Sequence, residues 1–160
     1  MYANDVSSWV MLYNHSNGMY GQIGWIKLAN GNRYNFTESD TNLGPVQRFF
    51  TASGENSSPE YKITFSSDAF HYFLNGTNYY TDGPGTGYGG CWAQQASEVT
   101  NTANQLPGSS GAHENFTNGQ VRRNDTGWVD TNGTEVNNKP SWWGWSKISS
   151  TQLDVWDKAC

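Results

Sequence analysis

The sequence predicts an all-β protein: an antiparallel β-sandwich or jelly roll of two curved sheets, in one domain spanning residues 1–160. Three observations carry this. The chain holds 8 Trp, 9 Tyr and 7 Phe, residue types that favour pleated, half-buried strands. Its 18 glycines, with many Asn, Ser and Thr, fall between short apolar runs where tight turns belong. Those runs alternate with a period of two, and no stretch has convincing helical periodicity. A length of 160 residues suits one domain with a substantial core. The negative mean hydropathy does not signal disorder, because the aromatics supply burial and the net charge is only −5.

About ten to twelve short strands are expected, with no internal repeat. Val6 to Tyr13 reads as the first and Met19 to Leu28 as the second, joined by turn residues Asn14 to Gly18. Ser7, Trp9, Met11 and Tyr13 share one face of the first strand; Tyr20, Gln22, Gly24 and Ile26 share one of the second. Asn30-Gly31 is a strong turn signal before a third strand, Arg33 to Glu38, where Tyr34, Phe36 and Glu38 project together. Ser39 to Gly44 reads as a polar loop, Val46 to Thr51 as a short strand and Ala52 to Pro59 as a surface connection. Tyr61 to Phe65 and Phe70 to Leu74 make a hairpin about Ser66-Ser67-Asp68, and Asn75-Gly76 turns the chain into Thr77 to Thr81. Asp82 to Gly90 is Gly-rich but lacks the Lys-Ser/Thr ending of a phosphate loop. Cys91 to Thr100 returns to strand pattern, with Trp92, Gln94, Ala96, Glu98 and Thr100 on one face. Asn104 to Asn115 reads as a loop, Phe116 to Arg123 and Gly127 to Asp130 as strands, Asn132 to Trp145 as an irregular excursion, and Thr151 to Asp157 as the closing strand. Sheets of such strands curve, and a concave face offers a groove to an extended ligand.

Several function classes fall away on composition. The 9 Lys and Arg are scattered, with Arg122-Arg123 the single basic doublet, so no nucleic-acid partner is expected. No apolar run is long enough to span a membrane. Only 14% of residues are charged, so few ion pairs would be lost in acid, which suits an acid-stable protein. Met1 to Asp5 lacks the basic and apolar regions of a signal peptide, so the chain reads as a mature form; it is the composition, not an address, that suggests a secreted, extracellular protein. The two cysteines, Cys91 and Cys160, are compatible with one disulfide or with two free thiols. Asn-x-Ser/Thr triplets at Asn14, Asn35, Asn56, Asn75, Asn115, Asn124 and Asn132 resemble the glycosylation sites of a glycoprotein, although an Asn-rich chain produces several by chance. The oligomeric state is not legible.

The chemistry-bearing residues are few. His15, His71 and His113 have no metal-binding spacing, so neither a metal nor another cofactor is expected. A nucleophilic Ser on a Gly-x-Ser-x-Gly elbow is missing from the sequence. Glu38, Glu98, Glu114 and Glu135 are the candidate carboxylates, and Glu98 alone sits mid-strand, where a charge is costly if buried unpaired. Gln22 likewise sits mid-strand among apolar and aromatic residues, where a neutral amide satisfies buried backbone or offers a donor to a site.

The order Ser8-Trp9-Val10-Met11, then Gln22-Ile23-Gly24, then Ala96-Ser97-Glu98-Val99 followed by a loop and Phe116 resembles the glutamic peptidases of the eqolisin type. It resembles the neprosin-related group more distantly. The family pattern has Gly where Met11 stands, Ala before its Glu where Ser97 stands, and Trp after it where Val99 stands. The likeness runs from about Val6 to Val121 and has no counterpart for Gly127 to Cys160. It implies a concanavalin-like sandwich and a secreted, acid-acting endopeptidase, a hydrolase on polypeptide substrates. It further implies Gln22 and Glu98 as the catalytic dyad on the concave face. Glu98 would activate a water, Gln22 would donate to the oxyanion, and Trp9, Tyr20, Tyr34, Phe36 and Trp92 would bind substrate. The neprosin-type pairing uses two Glu, and no carboxylate stands at position 22.

Other readings fit the same residues. A carbohydrate-binding, lectin-like module would stack polysaccharide rings on aromatics, and Trp142-Trp143-Gly144-Trp145 favours it. An extracellular structural glycoprotein would need no site. A glycoside hydrolase would need two carboxylates across a groove, for which Glu38 and Glu98 are the pair available.

Overall fold

The computed structural model describes residues 5–14, 17–52, 54, 57–83, 92–99, 108–109, 111–117, 120–123, 127–130, 143–149 and 152–157. Those residues form fourteen strands, mostly antiparallel, and no helix. The first four are β1 (Val6–Tyr13), β2 (Tyr20–Lys27), β3 (Arg33–Thr41) and β4 (Gly44–Ala52). Then come β5 (Tyr61–Ser66), β6 (Ala69–Leu74), β7 (Thr77–Asp82) and β8 (Trp92–Val99). The remainder are β9 (Gly108–Ser109), β10 (Ala112–Phe116), β11 (Gln120–Arg123), β12 (Gly127–Asp130), β13 (Trp143–Lys147) and β14 (Leu153–Asp157).

The hairpins close where the chain can turn sharply. Ser67 and Asp68 (φ 52° and 56°) and Asn75 and Gly76 (φ 50° and 79°) take the left-handed conformations that two-residue hairpin turns require. Gly31, at φ 87°, sits in the β2–β3 turn, where its N–H donates to the Leu28 carbonyl at 2.8 Å.

β4-β3-β2-β1-β8 form a five-stranded sheet and β5-β6-β7 a three-stranded one. The two pack as a sandwich through Ile23, Phe70 and Tyr72, each fully buried, with Val10, Leu12, Phe50, Tyr61, Ile63, Phe65 and Tyr80 around them. Full burial of one such side chain stabilises by about 1.5–3 kcal/mol. Polar ties cross the same interface. Arg48 pairs with Asp82 at 2.7 Å, Ser39 Oγ donates to the other Asp82 oxygen at 2.7 Å, and Tyr61 donates to Asn35 at 2.6 Å. The opposite face of the five-stranded sheet carries a second apolar cluster, Trp9, Ile26 and Phe36, with Met11, Leu28, Tyr34, Phe49 and Ala96 against it. β10-β9-β14-β13 make a four-stranded sheet, in which β9 and β14 meet in parallel at Ser109 and Asp157, and β11-β12 make a separate hairpin.

Several sequence expectations differ from the structure: the described residues form fourteen strands rather than ten to twelve, and Phe116 to Arg123 is not one strand, since Phe116 ends β10 and β11 begins at Gln120. Ser39 to Gly44 is not a loop: β3 continues to Thr41 and β4 begins at Gly44, because Ser39 is buried and bonded to Asp82 and only Asn42 and Leu43 are needed for the turn. The Asn104 to Asn115 stretch contains β9 and most of β10, so His113 and Glu114 are strand residues. The Trp-rich excursion enters strand at Trp143, paired along β14 from Asp157 to Leu153. Cross-strand pairing rather than side-chain type sets these elements, so residue composition does not mark them. Cys91 and Cys160, and with them the disulfide expectation, lie outside the described residues.

Candidate active site

The strand register sorts side chains to the two faces of the five-stranded sheet. Gln22 lies opposite Met11 on β1 and opposite Glu38 on β3. Glu98 on β8 lies opposite Ser7, and Trp9 lies opposite Ala96 and Gly24. All belong to the face turned away from the three-stranded sheet. Glu98, Trp9 and Gln22 therefore fall on one diagonal across three neighbouring strands, β8, β1 and β2.

Two glycines make this arrangement possible. A Cβ on Gly24 would stand 1.9 Å from the Ser8 carbonyl oxygen and 2.7 Å from Trp9 Cα, so β1 approaches β2 closely only because position 24 has no side chain. A Cβ on Gly21 would meet Tyr72 Oη at 2.7 Å and Phe70 Cγ at 2.9 Å, so the two sheets close against each other beside Gln22. The glycine of the Gln22-Ile23-Gly24 pattern thus has a steric origin.

The electrostatics of the diagonal are uneven. Trp9 Nε1–H donates to Glu98 Oε2 at 3.3 Å. Burial pushes the Glu98 carboxyl above the ordinary carboxylate range; the Trp9 hydrogen bond opposes this, and the negative charge of Glu38 adds to it. Gln22 is only 4% exposed, and its amide makes no side-chain hydrogen bond among the described residues. Its polar atoms are not among the fully buried, unpartnered ones, so the little exposure of the residue lies at the amide, which is open to a ligand on this face.

Beside Gln22 stands a second carboxylate. Glu38 accepts from the Tyr20 hydroxyl at 2.6 Å and from Gln47 Nε2 at 2.7 Å, one donor to each oxygen. Burial, then the hydrogen bond to Glu38, raises the Tyr20 pKa far above the usual phenol value, so the hydroxyl remains a donor. The charge of Glu98 also reaches Tyr20, so the carboxylates of β3 and β8 act on common neighbours.

The other expected residues are distributed as follows. Tyr34 stacks on Phe49 with ring centroids 5.8 Å apart, and Phe36 is fully buried beneath the same face. Trp92 opens β8 opposite Tyr13, but its side chain lies outside the described residues, as do those of His113, Glu114, Trp143 and Trp145. His15, Glu135 and Trp142 lie wholly outside them. His71 sits on β6 bonded to Thr81 and Ser66, away from the diagonal. No group of three or more His, Cys, Asp or Glu among the described residues could hold a metal ion. Sequence reasoning missed Gln47, whose short strand gave no hint that it pairs with Glu38, and Asp40, which the loop assignment removed from the face. Strict alternation continued past Glu38 was the signal that could have found Asp40.

No protein-family model matches this chain, and no curated protein matches it in sequence. Among solved structures it is similar to the crystal structure of aspergilloglutamic peptidase from Aspergillus niger, with a TM-score of 0.69 over 96% of this chain and 98% of that one. The sequence identity is 14%, so the likeness is one of fold: both are β-sandwiches.

Proposed function

We propose that the protein is a secreted, acid-acting glutamic endopeptidase whose dyad is Gln22 and Glu98. The observation that carries this is the shared face: the buried, uncommitted Gln22 amide and the half-buried Glu98 lie on one diagonal with Trp9 between them. The fold likeness to a protein named as a glutamic peptidase supports the same reading.

The chemistry closes without a cofactor. Ionised Glu98 removes a proton from water as the water oxygen bonds to the scissile carbonyl carbon. The carbonyl oxygen gains charge, and the Gln22 amide N–H donates to it; losing one such donor costs roughly 100- to 1,000-fold in kcat. The C–N bond then breaks, and protonated Glu98 returns its proton to the leaving amine. Trp9 fixes the Glu98 carboxylate through Nε1. Tyr20 and Tyr34 form the surface along which the polypeptide lies, with the fully buried Phe36 supporting it from beneath. The raised pKa of Glu98, caused by its burial, keeps a proton available for the second half of the cycle in mildly acidic surroundings.

The test is cleavage of a denatured protein across pH 2–6 by wild type, Glu98→Gln and Gln22→Ala. Cleavage by wild type with loss in both variants supports the dyad. An absence of cleavage in every form, with retention on a polysaccharide matrix, would replace the peptidase by a carbohydrate-binding module.

A further inference from the structure

We propose that Glu38 forms a subsite for a cationic side chain, so that the site selects polypeptides carrying Lys or Arg at or beside the bond presented to Gln22. This rests on the peptidase reading for which bond is cut, but the recognition itself is a matter of binding.

Four observations converge. The register pairs Glu38 directly with Gln22, which puts their Cβ atoms roughly 5 Å apart on one face. The Glu38 carboxylate is held by two neutral donors, Tyr20 and Gln47, and has no cationic partner among the described residues. Its oxygens retain further lone pairs. The same sheet face carries Asp40 and Glu98 but no Lys or Arg among the described residues. Lys27, Arg33 and Arg48 all alternate to the opposite face, where Arg33 covers the Trp25 ring at 4.2 Å and Arg48 pairs with Asp82. Lastly, the Gln22 amide, across the strand pair from Glu38, has no side-chain partner among the described residues and is not fully buried, so it is open to a ligand lying beside Glu38.

A neutral anchor would have sufficed to join β2, β3 and β4 here. A carboxylate bound by neutral donors instead leaves a net negative field, the same field that presses on Glu98 and Tyr20. A lysine or arginine entering beside Gln22 neutralises that field, with Coulombic complementarity setting the preference.

The experiment compares three uncleavable peptides, identical but for Lys, norleucine or Glu at one position beside an N-methylated amide. Binding to the wild-type protein at pH 6 is measured by titration calorimetry at low and high salt. The Lys peptide is expected to bind about five- to tenfold more tightly than norleucine, with the gap shrinking in salt, and the Glu peptide most weakly. Glu38→Gln is expected to remove the gap while still binding norleucine. Equal affinities, tighter binding of the Glu peptide, or no binding of any peptide overturns the subsite. The wild-type comparison decides the matter even if Glu38→Gln does not fold. Cleavage of the matching unmethylated peptides is scored separately. A Lys preference in binding with no cleavage would sink the peptidase and leave the subsite; cleavage without preference would do the reverse.

Discussion

Replacing Gly24 by Ala should damage the sheet more than any other single methyl addition between β1 and β2. The new Cβ would stand 1.9 Å from the Ser8 carbonyl oxygen, whereas ordinary contact begins near 3.4 Å. One strand must therefore retreat by roughly 1.5 Å, and both close atoms are backbone, so no side chain can swing aside. Overpacking of this kind costs about 1–3 kcal/mol, and a disturbed ladder hydrogen bond adds about 1 kcal/mol. A total of about 3 kcal/mol corresponds to a fall in Tm of roughly 6–12 °C for a domain of this size. Thermal unfolding followed by circular dichroism measures it. Gly31→Ala is the control: its φ of 87° strains an alanine, but open space surrounds it. Its cost of about 1 kcal/mol should lower Tm by roughly 2–4 °C. If Gly24→Ala melts within 1 °C of wild type, or no lower than Gly31→Ala, the close approach of β1 and β2 is refuted.

Other outcomes follow from the same structure. Glu98 has a raised pKa in the folded protein, so its contribution favours folding in acid and fades as pH rises through that value; Glu98→Gln should raise Tm at pH 7 and change it little at pH 3. An equal shift at both pH values would contradict its burial. Asp82→Asn leaves Arg48 without its 2.7 Å partner between the sheets and should cost about 2–3 kcal/mol, read as a lower urea midpoint. Expressed in a glycosylating host, Asn75, exposed at its hairpin turn, should carry glycan. Asn14 and Asn35, 4% and 5% exposed, should carry none, as peptide mapping by mass spectrometry would reveal.

Much of the sandwich is legible in the chain, because β1, β2, β5 and β6 alternate cleanly and Asn-Gly or Ser-Asp turns separate several of them. The face shared by Trp9, Gln22 and Glu98 follows from the same alternation once the order of strands is known. That order is what residue patterns do not contain. Nothing local to Trp92–Val99 says that β8 pairs with β1, far away in sequence, rather than with β7. Glu38 was visible as a carboxylate beside two aromatics, but its bonds to Tyr20 and Gln47 depend on the β2–β3–β4 register. The use of the glycines at 21 and 24, admitting the Tyr72 hydroxyl and the Ser8 carbonyl, is a property of packing that the residue pattern does not contain.

The central claim is that Gln22 and Glu98 act as one unit on one water. Single-turnover cleavage of one peptide by wild type, Gln22→Ala, Glu98→Gln and the double variant tests it most directly. The dyad predicts losses of at least roughly 100-fold in each single variant and a double variant hardly slower than the worse of the two. Full activity in Glu98→Gln, or losses that simply multiply in the double variant, would contradict it.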